Sequence, residues 1–322
     1  MELAAYIAVV GLACALAVRP NPLSAGTFTV VCFATYVALS VIIRLSGFDV
    51  DMAVYAASMH YIFDAPYYLR EPVVWYGHRL LWSITGSEVI SFVVMDVVLM
   101  SVMFFSFKRL RLPQYAYISV ISFFPFIMGM QNVYRQFAGS IFFIAAISAI
   151  YDRKSYKGVA FSLLSMLSHN VAAVFIFLMP MFTKYRQVAF IAGIVLIPVA
   201  IFVGGDTKSG VETGARLEWA YVGILTVCCG AIFFLERAHR NLRSTIALLV
   251  TLALHTNIAA AAMLASAAAE RVSLFTLLAI YPLLVRVVER RLREKFLLRC
   301  AITVFGFIPI LVAGTRIFIF GE

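Results

Sequence analysis

The chain predicts an all-α, polytopic integral membrane protein, and three observations carry that prediction. Hydrophobic residues fill 63% of its 322 positions. Charged residues fill only 13%, roughly half the share found in soluble domains. The apolar residues run in stretches that reach the length of about 20, with about 17 as a minimum, that a helix needs to cross a bilayer. They do not alternate every second residue, as the strands of a membrane barrel would. A soluble fold cannot hide this much apolar surface, so the bilayer is the solvent.

The elements follow in order. Residues 1–18, MELAAYIAVVGLACALAV, show no basic leader and no A-x-A-like cleavage site, and read as a retained span rather than a signal peptide. The net charge of +10 would suit a nucleic acid if it lay on one face. Instead the basic residues come in short clusters between apolar runs: KRLR at 108–111, DRKSYK at 152–157, TKYR at 183–186, ERAHRNLR at 236–243 and ERRLREKFLLR at 289–299. That is the positive-inside pattern of cytoplasmic loops, and it leaves no nucleic-acid surface. With those loops inside, residues 27–43 run outward, 88–107 inward, 114–131 outward, and the next span returns inward to residue 150. Residues 158–182 are too few to cross twice, yet one crossing would put every later basic cluster outside. They therefore predict a short helical hairpin with Ser168, His169 and Asn170 near its turn. Such backbone is tolerated at membrane depth only where protein or a water-filled cavity satisfies it. Beyond it, 188–203 go out, 219–235 in, 244–264 out, 272–288 in and 300–319 out.

The sum is about 10 full crossings plus the hairpin, as a single transmembrane domain over 1–322 with outer loops at 44–87, 204–218 and 265–271. Both termini are expected outside. The loop 44–87 mixes Tyr, Trp, Phe and charges, which suits short amphipathic helices at the interface. Cys14, Cys32, Cys228, Cys229 and Cys300 all lie in apolar segments without metal or disulfide spacing, and read as small core residues. No internal repeat or glycine-rich phosphate loop is visible.

Under this topology the unusual polar residues gather on the outer side: Arg44, Asp49, Asp51, Arg70, Glu71, His78, Arg79, Arg135, His169, Arg216, Glu270 and Arg271. Ionisable groups at membrane depth are costly and mark function. Arg135, flanked by Asn132, Tyr134 and Gln136, carries a permanent charge and forks onto phosphate or carboxylate oxygens. Its ordinary alternative is an arginine snorkelling to outer headgroups. His169 is a candidate to take a proton from a hydroxyl; its ordinary alternative is a buried histidine that caps a turn with Asn170. Glu71, in Arg70-Glu71-Pro72, reads either as an acid at a helix N-terminus or as a carboxylate that binds a sugar hydroxyl or acts as base. Asp49-Val50-Asp51 has the form of the D-x-D metal motif, but residues i and i+2 of a helix do not face the same way, and no metal site is assigned. Arg216 and Arg271, with Arg44 and Arg135, would make a cationic pocket for a diphosphate, a clamp that stabilises charge growing in the transition state.

In these segments the chain resembles the EpsG-type branch of the Wzy polysaccharide polymerases. RLSGFDVDMAVY (44–55) resembles that family's early R…G-x-D…Y motif, followed in the expected order by REP (70–72), NVYRQ (132–136), LSMLSHNVA (164–172) and ERVSLFTLLAIYPLL (270–284). The loop 204–218 matches no motif of the family. The resemblance implies a GT-C-like helical architecture in the bacterial inner membrane. It implies a glycosyltransferase that joins oligosaccharide repeat units carried on undecaprenyl diphosphate at the outer face, with no nucleotide sugar and no cofactor. It also implies a flippase and a chain-length regulator as partners. In that reading His169, Arg135 and Glu71 are catalytic. Arg44, Asp49, Arg70, Asn132, Tyr134, Gln136, Asn170, Arg216 and Arg271 bind the donor or acceptor glycolipid.

Three other readings use the same residues. A lipid-linked oligosaccharide flippase would also place arginines in a membrane cavity, but transporters usually show two related halves. An O-antigen ligase would use the same donor with another acceptor. A membrane O-acyltransferase would use a membrane histidine as base, with a donor entering from the cytosol.

Overall fold

The computed structural model describes residues 2–48, 50–61, 68–69, 71–152, 154–175, 184–204, 217–237, 245–291 and 295–306. Asp49, Arg70 and Arg216, most of the loop 204–218, the later part of 158–182 and the outer part of 300–319 lie outside the described residues. Among the described residues all regular structure is helical. In chain order the helices are α1 (Glu2–Ala17), α2 (Ala25–Leu45), α3 (Val50–Ser58), α4 (Pro72–Thr85), α5 (Glu88–Arg109), α6 (Gln114–Ser122), α7 (Phe124–Gln131) and α8 (Tyr134–Tyr151). They continue with α9 (Ser155–Ser168), α10 (Val171–Val174), α11 (Arg186–Gly204), α12 (Glu218–Arg237), α13 (Thr245–Met263), α14 (Ser266–Arg291) and α15 (Lys295–Phe305).

Six of the described helices are long and apolar enough to cross a membrane on their own: α2, α5, α11, α12, α13 and α14. The chain is thus a multi-pass helical membrane protein. An apolar outer face shows in α11, where Val188, Ile191, Val195, Val199 and Phe202 are exposed, as on a helix that faces lipid.

The other expected spans depart from a simple crossing for identifiable reasons. The stretch 114–131 is two helices. Phe123 is extended (φ −72°, ψ 125°) and Pro125 opens the first turn of α7, because a proline interrupts the ladder of the helix before it. The freed backbone groups are met by distant parts of the chain: Phe124 N–H donates to the Gly306 carbonyl (3.1 Å) at the end of α15, and the Tyr6 hydroxyl donates to the Ser122 carbonyl. Such satisfaction by protein is what a broken helix at membrane depth requires. α8 begins with the polar run Tyr134-Arg135-Gln136, and nearly every residue from Gln136 to Ala149 is buried. It is the bundle's central helix, packed by α5, α7, α9, α10 and α14, and meets protein rather than lipid.

Of the stretch expected to form a hairpin, α9 is the first part, and its helix breaks at His169 and Asn170, where the sequence placed the turn; residues 176–183 lie outside the described residues. α8 and α9 approach closely at Gly139 and Gly158, where an added Cβ would lie 3.3 Å from His169 Cβ and 2.3 Å from Ile150 Cγ1 respectively. Two short helices, α3 and α4, occupy the expected outer loop 44–87.

The two ends of the bundle differ. At one end Arg286 donates to the Leu110 carbonyl (3.0 Å) and to the Tyr151 hydroxyl, so the ends of α5, α8 and α14 meet there among the basic clusters. Arg299 grips Glu289 with two bonds (2.7 and 2.9 Å) and reaches the Ala17 carbonyl. At the other end lie the starts of α4, α8 and α14 and the break between α9 and α10.

Candidate functional site

The centre of that second end is Glu71, 4% exposed. It precedes Pro72 at the start of α4, yet its side chain makes no bond to its own helix. It reaches across instead. One carboxylate oxygen, Oε2, accepts from Arg135 Nη1 at the start of α8. The other, Oε1, accepts from the Asn170 backbone N–H (3.1 Å) and lies 3.8 Å from His169 Nε2. Three segments far apart in sequence therefore converge on one carboxylate. Glu71 does stand at a helix N-terminus, as one of the two sequence readings has it, but its carboxylate bonds to other segments rather than to α4.

Arg135 is further held by aromatics from the outer helices. Its Nε donates to the Tyr55 hydroxyl (3.0 Å), and its guanidinium lies 5.0 Å from the centre of the Trp75 ring and 5.5 Å from that of Tyr55. Cation–π contacts of this kind keep an arginine in place without neutralising it. Two aromatics of the loop 44–87, Tyr55 and Trp75, thus orient the arginine.

His169 is 7% exposed and extended at the C-cap of α9. Its Nδ1 accepts from the Val171 backbone N–H (3.1 Å). A nitrogen that accepts a hydrogen bond carries no proton, so the neutral imidazole bears its hydrogen on Nε2, on the side of Glu71. Beneath it the rings of Phe175 and Phe275 stack at 4.8 Å with 14° between planes. Asn170 contributes its backbone N–H, and its side chain is exposed.

Of the other candidates, Arg271 lies at the rim: its Nη2 is 3.8 Å from Asp51 Oδ2, with both side chains partly exposed. Gln136 is buried and donates to the Arg271 carbonyl, tying α8 to α14. Asn132 caps α7 in the break before α8 and is half-buried.

Arg44 and Tyr134, expected to touch substrate, are buried in the bundle instead. Arg44 is 2% exposed and donates from Nε and Nη2 to Asp96 (2.9 and 3.0 Å) and from Nη1 to the Met130 carbonyl (2.9 Å). The physical reason is Asp96, a lone acid in the apolar run of α5. A charge there needs a partner inside the protein, and Arg44 and the Tyr134 hydroxyl (2.7 Å) supply it. Asp96 was the residue that sequence reasoning missed, although an acid in the middle of VVMDVVLM is itself the signal. His78 is likewise buried, against Phe92 and Tyr134.

No family model matches the chain, and neither a curated protein nor a solved structure does.

Proposed function

We propose that the chain is a Wzy-type polysaccharide polymerase of the EpsG branch. It joins undecaprenyl-diphosphate-linked oligosaccharide repeat units at the outer face of the bacterial inner membrane. The observation that carries the reading is the convergence of Arg135, His169 and Asn170 on the buried carboxylate of Glu71, at the end of the bundle opposite the basic clusters. The fold in this reading has about 10 crossings, a count that follows from the spacing of basic loops, in a GT-C-like arrangement with both termini periplasmic. A flippase delivers its substrates and a chain-length regulator acts beside it.

The chemistry follows from the groups present. The acceptor sugar hydroxyl attacks the anomeric carbon of the donor glycan. The bond from that carbon to the diphosphate oxygen breaks, and undecaprenyl diphosphate leaves with the electron pair. Arg135, seconded by Arg271 at the rim, holds the growing negative charge. The proton of the acceptor hydroxyl passes to Glu71. Without substrate, Glu71 neutralises Arg135; a diphosphate that competes for the guanidinium frees the carboxylate to act as base. His169 offers an Nε2 hydrogen rather than a free lone pair on that side, which makes it a donor that orients the carboxylate or the acceptor. Of the two candidate bases that the sequence leaves open, His169 and Glu71, this reading takes Glu71.

The test is glycan length. The gene is deleted in its host and complemented with wild type, Arg135→Ala, Glu71→Gln or His169→Ala, with protein level measured in each membrane. The expected result is loss of the polymer ladder with a single-repeat band retained. Full-length polymer from Arg135→Ala and Glu71→Gln at wild-type levels would sink the site. Loss of every band, single repeat included, would favour a lipid-linked oligosaccharide flippase or an O-antigen ligase.

A further inference from the structure

We infer that Asp96, buried in the middle of α5, is a positioning residue for the Arg135 site, acting through Tyr134 and the break between α7 and α8. The inference rests on the reading of Arg135 as a residue of the reaction. Asp96 is fully buried and accepts four hydrogen bonds: two from Arg44 (2.9 and 3.0 Å), one from Ser40 Oγ (2.6 Å) and one from the Tyr134 hydroxyl (2.7 Å). Arg44 spends a third donor on the Met130 carbonyl (2.9 Å). The pair therefore grips both sides of the break. Met130 is in the last turn of α7, and Tyr134 is the first residue of α8.

Between those two grips the backbone leaves the helix: Asn132 sits at φ −131°, ψ −63° and Val133 at φ −96°, ψ 54°. A break of this kind is free to turn unless its ends are fixed. The ring of Tyr134 is packed by His78 (5.1 Å) and Phe92 (5.7 Å), and the Arg44 guanidinium lies 5.1 Å from its centre. Arg135 is the next residue, so the direction in which its side chain leaves α8 follows from where Tyr134 is pinned. Among the described residues Asp96 bonds to Ser40, Arg44 and Tyr134, and it reaches the Glu71 site through this last neighbour.

A buried ion pair is not required for stability, since well-packed apolar residues in its place are often as stable or more so. That separates a positioning role from a structural one. The full-length chain carries Arg44→Met with Asp96→Leu, which removes both charges together, or Tyr134→Phe, which removes one hydroxyl and keeps every carbon. Each is also made with Trp82→Phe and Trp219→Phe, so that Trp75, which stacks on Arg135, is the only tryptophan and its emission reports the arginine's place.

The double variant is expected to reach wild-type level and thermal stability in detergent. Its turnover on lipid-linked repeat units should fall about a hundredfold at little-changed KM, the scale of a misplacement of about 1 Å, with Trp75 emission shifted. Tyr134→Phe should lose about tenfold, the scale of one hydrogen bond to a charged group. Unchanged Trp75 emission in variants at wild-type level overturns the inference, whatever the polymer does. Shifted emission with full polymer upholds the positioning of Arg135 and overturns its part in the reaction. If the double variant fails to accumulate, Tyr134→Phe decides on the same two readouts.

Discussion

Replacing Gly139 should separate stability from activity. Gly139 lies on α8 where α9 ends: an added Cβ would meet His169 Cβ at 3.3 Å, the Ser165 carbonyl oxygen at 3.3 Å and Phe275 Cε2 at 3.6 Å. Ser165 Oγ also donates to the Gly139 carbonyl (2.7 Å), so the two helices cannot part without cost. In Gly139→Ala the neighbours must give by a few tenths of an ångström. The strain is offset by the gain of about 1 kcal/mol that alanine brings over glycine in a helix interior. Net stability should stay within about 1 kcal/mol of wild type.

Activity has no such offset. If a misplacement of about 1 Å costs about a hundredfold, log-linear scaling gives about fourfold for a shift of about 0.3 Å of His169 against Glu71. Gly139→Val pushes further: overpacking should cost about 1–3 kcal/mol, and activity should fall toward the hundredfold limit. Thermal unfolding in detergent and polymer yield per molecule of protein measure the two effects. A Gly139→Ala protein destabilised by more than about 2 kcal/mol, or a Gly139→Val protein at normal level with undiminished polymer, would refute the reasoning.

The remaining predictions concern single groups. His169→Gln, whose amide also presents an N–H donor, should keep about a tenth of the activity that His169→Ala loses; equal inactivity of the two in the glycan assay would return His169 to the role of base. Arg271→Ala should change stability by less than about 1 kcal/mol, because its pair with Asp51 is long and partly exposed, while shortening the polymer ladder. Arg299→Ala leaves Glu289 without its two bonds at the basic end; it should cost about 3 kcal/mol and show as a lower melting temperature with polymer per molecule unchanged.

The features legible in the sequence were those written in one dimension. Hydropathy and the spacing of basic loops gave the helical membrane class, and a cluster of amides and charge in an oily run marked both breaks, at Asn132–Val133 and at His169–Asn170. The position of a partner was not legible. Nothing in Arg44 says whether it faces a diphosphate or Asp96, since both are anions that fit a guanidinium fork; only the packing of α2 against α5 chooses. The same holds for Glu71, whose helix-start position predicts a cap, while its side chain spans the gap to α8 and α10. The split of 114–131 was signalled by Pro125, but overall apolarity outweighed one residue in a span count.

The bond from Phe124 to the Gly306 carbonyl joins a helix break to a residue made about 180 positions later. A chain emerging from the ribosome at about 5–20 residues per second inserts α6 and α7 about ten to forty seconds before α15 exists to close that gap. For that interval the Phe124 amide lacks the partner it has in the finished bundle, and another polar group or water must satisfy it. A helix synthesised late, α15, thus completes a break made about 180 residues earlier, and assembly there is tied to a distant part of the chain.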